Sequence, residues 1–486
     1  MFRVTCFSLL LLSVFFTGTV SFAQNKTTAP GDFHIKVKVK GIPKDSTAIL
    51  CWYYGESKPD LYTAKADASG NFVFSAKEKM LRGMYFIQLA GAKNKYFDFL
   101  LSDDQVFEME TDTADFIAST SVKGCEENKS YYDYLRFLAA NNKKAGQLKI
   151  KQAELEKKND NAALIDIAHK LEALETAQTR YEERYILKHQ ATLLAKLLDL
   201  QQKNEAPKET ATIEQVQRYN RAHYFDGTDW TESGLAHNPW YHKKIGAYLD
   251  TYIPQNADSL SAACDFIVEK ARSNRELFKL TVQYLAFKYD VQKPTCRDGV
   301  LFHMVDTYFK TGQVDWLGQN INDFLVQRCE KMRKHGCGTK AENVFVKDTT
   351  GKPHELLGVK AKYTLLVFWD PDCSHCQEEM PELKTEYDEL KKYGFEVFAV
   401  VPMRETAPWK KFITEHQLGW MNGMGADEKT QAAFVDWYQV YTTPLYYLLD
   451  EQKTIIAKNL TPTGMCNEIR KLEGLPLKAE KPAKVH

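Results

Sequence analysis

At 486 residues the chain is too long for one hydrophobic core and implies roughly three domains. Lys plus Arg equals Asp plus Glu at 64 each, which leaves no basic field for a nucleic acid. A content of 44% hydrophobic and 12% aromatic residues excludes a disordered chain.

The start, Met-Phe-Arg3, is followed by an apolar run from Leu9 to Phe16 and then by Ser21-Phe-Ala23. A basic start, a short apolar run and a small-x-Ala ending predict a secretory leader over 1–23, cleaved after Ala23. The run is shorter than the ~20 residues of a spanning helix, and no other stretch is long and apolar enough. The expectation is a soluble exported protein with no transmembrane segment after cleavage. Cys6 precedes the apolar run and so is not placed to carry a lipid. Nine of the ten cysteines remain once Cys6 leaves, and an odd number in an oxidising compartment leaves at least one thiol unpaired.

Residues 32–120 read as a β-sandwich. Phe33, Ile35, Val37 and Val39 alternate with polar residues, and further short runs follow at Ala48–Tyr54, Leu61–Ala66, Phe72–Ser75, Met84–Leu89 and Tyr96–Leu101. Trp52, Tyr53 and Tyr54 are read as core packers rather than as a binding platform. From 126 to 333 the chain turns all-α. Tyr131, Tyr134, Leu135 and Leu138, then Leu164, Ile167, Leu171, Leu174, Tyr181 and Tyr185, recur at steps of three and four amid Glu and Lys. This predicts a long amphipathic helix, half of a hairpin, broken at Asn204-Glu-Ala-Pro207. Four scattered histidines, His223, His237, His242 and His303, lack the spacing of a known metal site.

The last domain, 338–474, carries the chemistry, and a Lys- and Pro-rich tail over 475–486 is expected to be disordered. Tyr363–Trp369 is a continuous apolar run, read as a buried strand; Met380, Leu383, Tyr387 and Leu390 mark a helix that stops at Gly394. Between them lies Trp369-Asp-Pro-Asp-Cys373-Ser-His-Cys376. Free N–H groups at the helix start favour a thiolate at Cys373, and Cys376, one turn further in, is placed to close a disulfide with it. His375 adds positive charge beside the sulfur while Asp370 and Asp372 oppose it, so the net effect stays open. Phe395–Val401, Leu445–Leu449 and Thr454–Ala457 are further strands, Thr406–His416 is a helix, and Leu418–Tyr438 is a loop followed by a helix.

Trp369, the Cys373-Ser-His-Cys376 pair, Pro381 and Thr443-Pro444 entering an apolar strand together resemble the thioredoxin-fold TlpA/ResA-like thiol–disulfide oxidoreductases of the bacterial envelope. The resemblance implies a periplasmic enzyme that reduces client disulfides through Cys373 and Cys376, needs an upstream thiol protein as electron donor, and uses no cofactor or metal. It implies further that Pro444 is cis and lies against the cysteines, that the Thr443 backbone pairs with substrate, and that Glu379 handles protons. Trp369, Ser374 and His375 would complete the substrate surface. Val367 departs from the buried aspartate that thioredoxin carries on this strand. The β segment and Arg221–Trp316 are similar to uncharacterised domains found ahead of such modules. The expected architecture is thus multidomain: an N-terminal β-sandwich, a central all-α domain and a C-terminal α/β thioredoxin fold.

Two other readings compete. A thiol peroxidase of the peroxiredoxin group would place threonine three residues before the attacking cysteine, where this chain has Asp370. A non-enzymatic envelope binding protein would use the first two domains and keep the thioredoxin domain as an accessory. Haem attachment is excluded by Gln377, since that motif requires histidine there, and zinc lacks a second cysteine pair. Of the other cysteines, Cys51, Cys264 and Cys466 read as apolar packers, Cys125 and Cys296 as exposed, and Cys329 with Cys337 as one conceivable disulfide.

Overall fold

The computed structural model describes residues 32–480 apart from 91–94, 203, 205, 208–211, 291–295 and 403–405. The expected leader over 1–23 lies outside the described residues, and the expected break at Asn204–Pro207 lies partly outside them. The chain divides into two compact units: residues up to Tyr252 with Ile267–Thr281, and Ile253–Phe266 with the residues from Val282 onward.

The first unit opens with eight strands: β1 (Phe33–Lys40), β2 (Thr47–Trp52), β3 (Asp60–Lys65), β4 (Asn71–Ala76), β5 (Gly83–Leu89), β6 (Tyr96–Leu101), β7 (Val106–Asp112) and β8 (Ser121–Lys123). They form two four-stranded sheets, β4-β1-β7-β8 and β3-β2-β5-β6. On β1 the residues Phe33, Ile35 and Val37 point inward while the residues between them face out, as the period of two requires. Phe33 stacks on Tyr62 and Phe99 meets Phe107 edge-on, so the inner faces of the two sheets supply one core. Neither β7 nor β8 is among the expected strands. Phe107, Met109 and Thr111 do alternate inward along β7, but its glutamates are poor strand formers and its parallel pairing with β1 is a long-range contact.

Helices Glu126–Lys158 and Asn161–Lys188 make an antiparallel pair turned at Asn159, whose left-handed backbone (φ 55°) suits asparagine. The stretch from Tyr131 to Tyr185, expected as one long helix forming half of a hairpin, is therefore two helices: the turn at Asn159 places both arms of the hairpin inside it. The Asn128 side chain anchors the first helix by accepting from Leu100 N–H and donating to Leu100 O, both at 2.8 Å. Trp52 stacks on the buried His237, ring centroids 4.2 Å apart, which makes it a packing residue.

In the second unit, helix Asp298–Met304, a π-helical turn over Val305–Phe309 and helix Gln319–Arg333 precede a seven-stranded sheet of order β10-β9-β13-β12-β11-β14-β15. Its strands are β9 (Phe345–Asp348), β10 (Pro353–Glu355), β11 (Tyr363–Phe368), β12 (Phe395–Val401), β13 (Met421–Gly425), β14 (Leu445–Leu449) and β15 (Ile455–Lys458). The central strand β11 is buried at every position, parallel to β12 and antiparallel to β14. One face is covered by helices Ser374–Leu390 and Pro462–Leu472 through Met380, Leu383, Met465 and Ile469; the other by helix Glu428–Tyr438 through Phe434 and Tyr438. Strand β13 falls inside the stretch expected to be loop and helix. Met-Asn-Gly-Met-Gly has no β-branched residue, and only pairing with β12 and β9 makes it a strand. At Gly423 an added Cβ would sit 2.4 Å from Val346 Cγ2, so that close pairing needs glycine.

The cysteine pairing also differs from expectation. Cys337 is bonded to Cys296, across 41 residues, and not to Cys329. Cys329 is 1% exposed and points into the core from its helix, as Cys125 does in the first unit, so neither is a surface thiol. Cys51, Cys264 and Cys466 are buried, in agreement with their reading as packers. Around the bridge, Lys458 of β15 makes a largely buried 2.5 Å ion pair with Asp298, and residues 338–339 pair with the edge of β15. The C-terminal segment expected to be disordered is held as far as Glu480: Asn467 bonds both the N–H and the O of Lys478, and the Lys478 ammonium lies 2.7 Å from Glu389. Carboxylates on the active-site helix attract the lysine that composition alone assigned to a loose tail.

Candidate active site

Strand β11 delivers the chain to Trp369, and a tight turn carries it into helix Ser374–Leu390. Asp370 builds that turn: its Oδ1 accepts from Asp372 N–H at 2.8 Å and its carbonyl from Cys373 N–H at 3.1 Å. Gln377 Nε2 reaches back to Pro371 O at 2.9 Å and closes the loop. Cys373 is thereby the N-cap, with extended backbone, so the helix's first unpaired N–H groups lie beside its side chain.

The two thiols have different environments. Cys373 is half-buried and its Sγ lies 3.2 Å from Thr443 O, which accepts from it. Cys376 is fully buried and accepts from Asp370 N–H at 3.4 Å. Burial pushes the Cys376 thiol far above its ordinary range, against the small opposing effect of that backbone donor. Thr443 and Pro444, joined by a cis peptide bond, sit partly exposed at the start of β14. The structure thus brings together Cys373 and Thr443 through the Thr443 carbonyl, with Pro444 next to Thr443 and Cys376 one turn along the helix from Cys373.

Ser374 is exposed and His375 half-buried on the same helix start. Glu379 lies one turn deeper; burial raises its carboxyl above the usual carboxylate range, its hydrogen bond from Tyr446 opposes that rise, and Glu382 and Glu378 add to it. Trp369 does not belong to a substrate surface. It is 0% exposed, packed on Phe412 with centroids 5.2 Å apart, and serves as the apolar floor beneath the motif. A residue absent from the sequence reading is Tyr446, which donates to Glu379 Oε2 at 2.9 Å. Its signal was present: along β14, Tyr446 and Leu448 alternate with Leu445 and Tyr447, so both turn to the face that holds Cys376.

The geometry suits thiol–disulfide exchange: an accessible sulfur at a helix start, a second sulfur one turn away and shielded from solvent, and an open backbone segment beside the first. Residues 337–458 match the AhpC/TSA family, and residues 174–331 match a domain of unknown function (DUF5106). The thiol-disulfide oxidoreductase ResA of Bacillus cereus is 30% identical over 129 residues, 26% of this chain and 70% of that relative. ResA of Bacillus subtilis is 26% identical over 119 residues, 24% of this chain and 64% of that relative. Among solved structures, a domain of a possible thiol-disulfide isomerase from Cytophaga hutchinsonii is 37% identical, covering 28% of this chain and 93% of that one, with a TM-score of 0.27. Fold and site therefore define a thioredoxin-type disulfide-exchange enzyme with uncharacterised segments ahead of it. The chain belongs to the ResA-like thiol–disulfide oxidoreductases.

Proposed function

We propose that this enzyme reduces disulfides of exported client proteins in the periplasm, with Cys373 as nucleophile and Cys376 as resolving thiol. The carrying observation is the asymmetry of the pair: Cys373 half-exposed at the helix N-cap, Cys376 buried behind it. The Cys373 thiolate attacks one client sulfur, forming a mixed disulfide and releasing the other client sulfur as a thiolate. Cys376 loses its proton to Glu379 and attacks Cys373 Sγ; the Cys373–client bond breaks and its electron pair leaves with the client. Two electrons have passed to the client, and the enzyme holds a Cys373–Cys376 disulfide. An upstream dithiol protein must reduce it before the next turnover.

Thr443 supports client binding, since its carbonyl lies 3.2 Å from the attacking sulfur. Ser374 and His375 flank the approach. Export is supported by the leader pattern and by the Cys296–Cys337 bridge, since disulfides persist mainly in oxidising compartments. Among the described residues no helix is long and apolar enough to cross a membrane.

The test is the reduction potential of the Cys373/Cys376 pair, equilibrated against glutathione buffers with Cys373→Ala as control. A value near about −270 mV fits a reductase, whereas one above roughly −180 mV would reassign the enzyme as an oxidant or isomerase. Absence of any disulfide between these two residues at every poise would overturn the redox reading.

A further inference from the structure

Cys376 and Glu379 stand three residues apart on the active-site helix, a spacing that puts them on one side of it. Strand β14 runs beneath. Its Tyr446 pairs in register with Val367 of β11 and belongs to the same apolar cluster as Cys376, Val367 and Met380. The ring is 2% exposed, yet its hydroxyl is satisfied by one bond, to Glu379 Oε2 at 2.9 Å. The phenol therefore meets the carboxylate directly, within the same cluster as the buried sulfur. Its own ionisation is accordingly held well above the usual tyrosine range, first by burial, then by Glu379, with a smaller effect from Cys376.

We infer that Tyr446 is a positioning residue that ties Glu379 to Cys376 during resolution, holding the carboxylate where it accepts the Cys376 proton. The inference rests on the redox-pair reading above. In the step concerned, the thiol proton of Cys376 passes to the Glu379 carboxylate, which the Tyr446 hydroxyl holds in place by its hydrogen bond. Cys376 Sγ bonds to Cys373 Sγ, the Cys373–client bond breaks, and the client sulfur leaves with the electron pair. Without the phenol, a carboxylate already disfavoured by burial would lose the hydrogen-bond donor that opposes that burial.

The groups facing Glu379 are Glu378, Glu382 and Cys376 on its own helix and Tyr446 from β14. Thr463 of the C-terminal helix donates to Glu382 at 2.7 Å. Tyr446→Phe keeps the ring in the core and removes only the hydroxyl.

The experiment mixes reduced full-length protein with the chromogenic disulfide dithionitrobenzoate and follows two releases of thionitrobenzoate across pH. The first release reports Cys373 attack and the second reports closure by Cys376. In the parent protein the second rate is expected to rise with pH as Glu379 ionises. In Tyr446→Phe that rise should move about one unit to higher pH, because a hydrogen bond to an ionised group has been lost. In Glu379→Gln it should vanish. A Tyr446→Phe profile lowered equally at all pH values, or superimposed on the parent's, overturns the inference, as does a rise that survives in Glu379→Gln. If Cys373→Ala still gave both releases, the redox-pair reading itself would fall; an inert Cys373→Ala with unchanged Tyr446→Phe would reject the tyrosine alone.

Discussion

Replacing Cys296 and Cys337 together by serine removes a bridge that closes a loop across 41 residues within the second unit. In the chain-entropy account, a loop of that length restricts the unfolded chain by about 13 cal/mol/K, or about 4 kcal/mol at 25 °C. For a unit of this size each kcal/mol moves the melting temperature by about 2–4 °C, so the variant should melt about 8–16 °C lower. Calorimetry of the intact chain is the assay, because two units need not melt together and the affected transition must be identified. The same drop should appear when the parent is melted in excess reductant. Cys329→Ala separates this pairing from the alternative: it should leave the bridge intact on a non-reducing peptide map. A double variant that melts within about 2 °C of the parent, or a map that links Cys329 to Cys337, would refute the reasoning.

Cys376→Ala should accumulate a client covalently attached through Cys373, seen as added mass that reductant removes, since the resolving sulfur is gone; a client-free protein would count against Cys376 as resolver. Asp298→Ala keeps the bridge and leaves Lys458 buried without its 2.5 Å partner. It should be less stable than the parent by about 3–5 kcal/mol on denaturant titration, and equal midpoints would show that the ion pair contributes nothing. His237 and His335 are each pushed down from 6.5 to about 4, both chiefly by burial and His335 also by the Lys458 ammonium. Because the unfolded chain binds protons first, the stability these neutral imidazoles permit is complete above pH 6.5 and falls away as pH drops toward about 4. Denaturant midpoints across that window should decline, and His335→Gln should flatten the decline in the second unit.

Elements whose signal is local were legible beforehand. Tyr363–Phe368 is a run of six buried residues, and Met380, Leu383, Tyr387 and Leu390 follow the helical period, so strand, turn and helix around Cys373 follow from spacing alone. Burial misled where residue type was the guide. The resemblance placed Trp369 on a substrate surface, yet it lies in the floor, as its place at the end of the apolar run from Tyr363 predicts; Cys125 sits among charged neighbours in sequence, yet packs inside. Strand β13 has almost no propensity of its own and exists because β9 and β12 flank it.

What the sequence determined by itself is the reactive pair, since two cysteines at a strand-to-helix junction owe their chemistry to three or four adjacent residues and a helix terminus. What tertiary structure decided is every partner that comes from far along the chain: Cys296 for Cys337, Thr443 O for Cys373, Tyr446 for Glu379, Asp298 for Lys458. The physical reason is the range of the forces. Helix capping and hydrophobic period act over a few residues, whereas disulfides, buried ion pairs and cross-strand hydrogen bonds depend on which distant segments the core brings together.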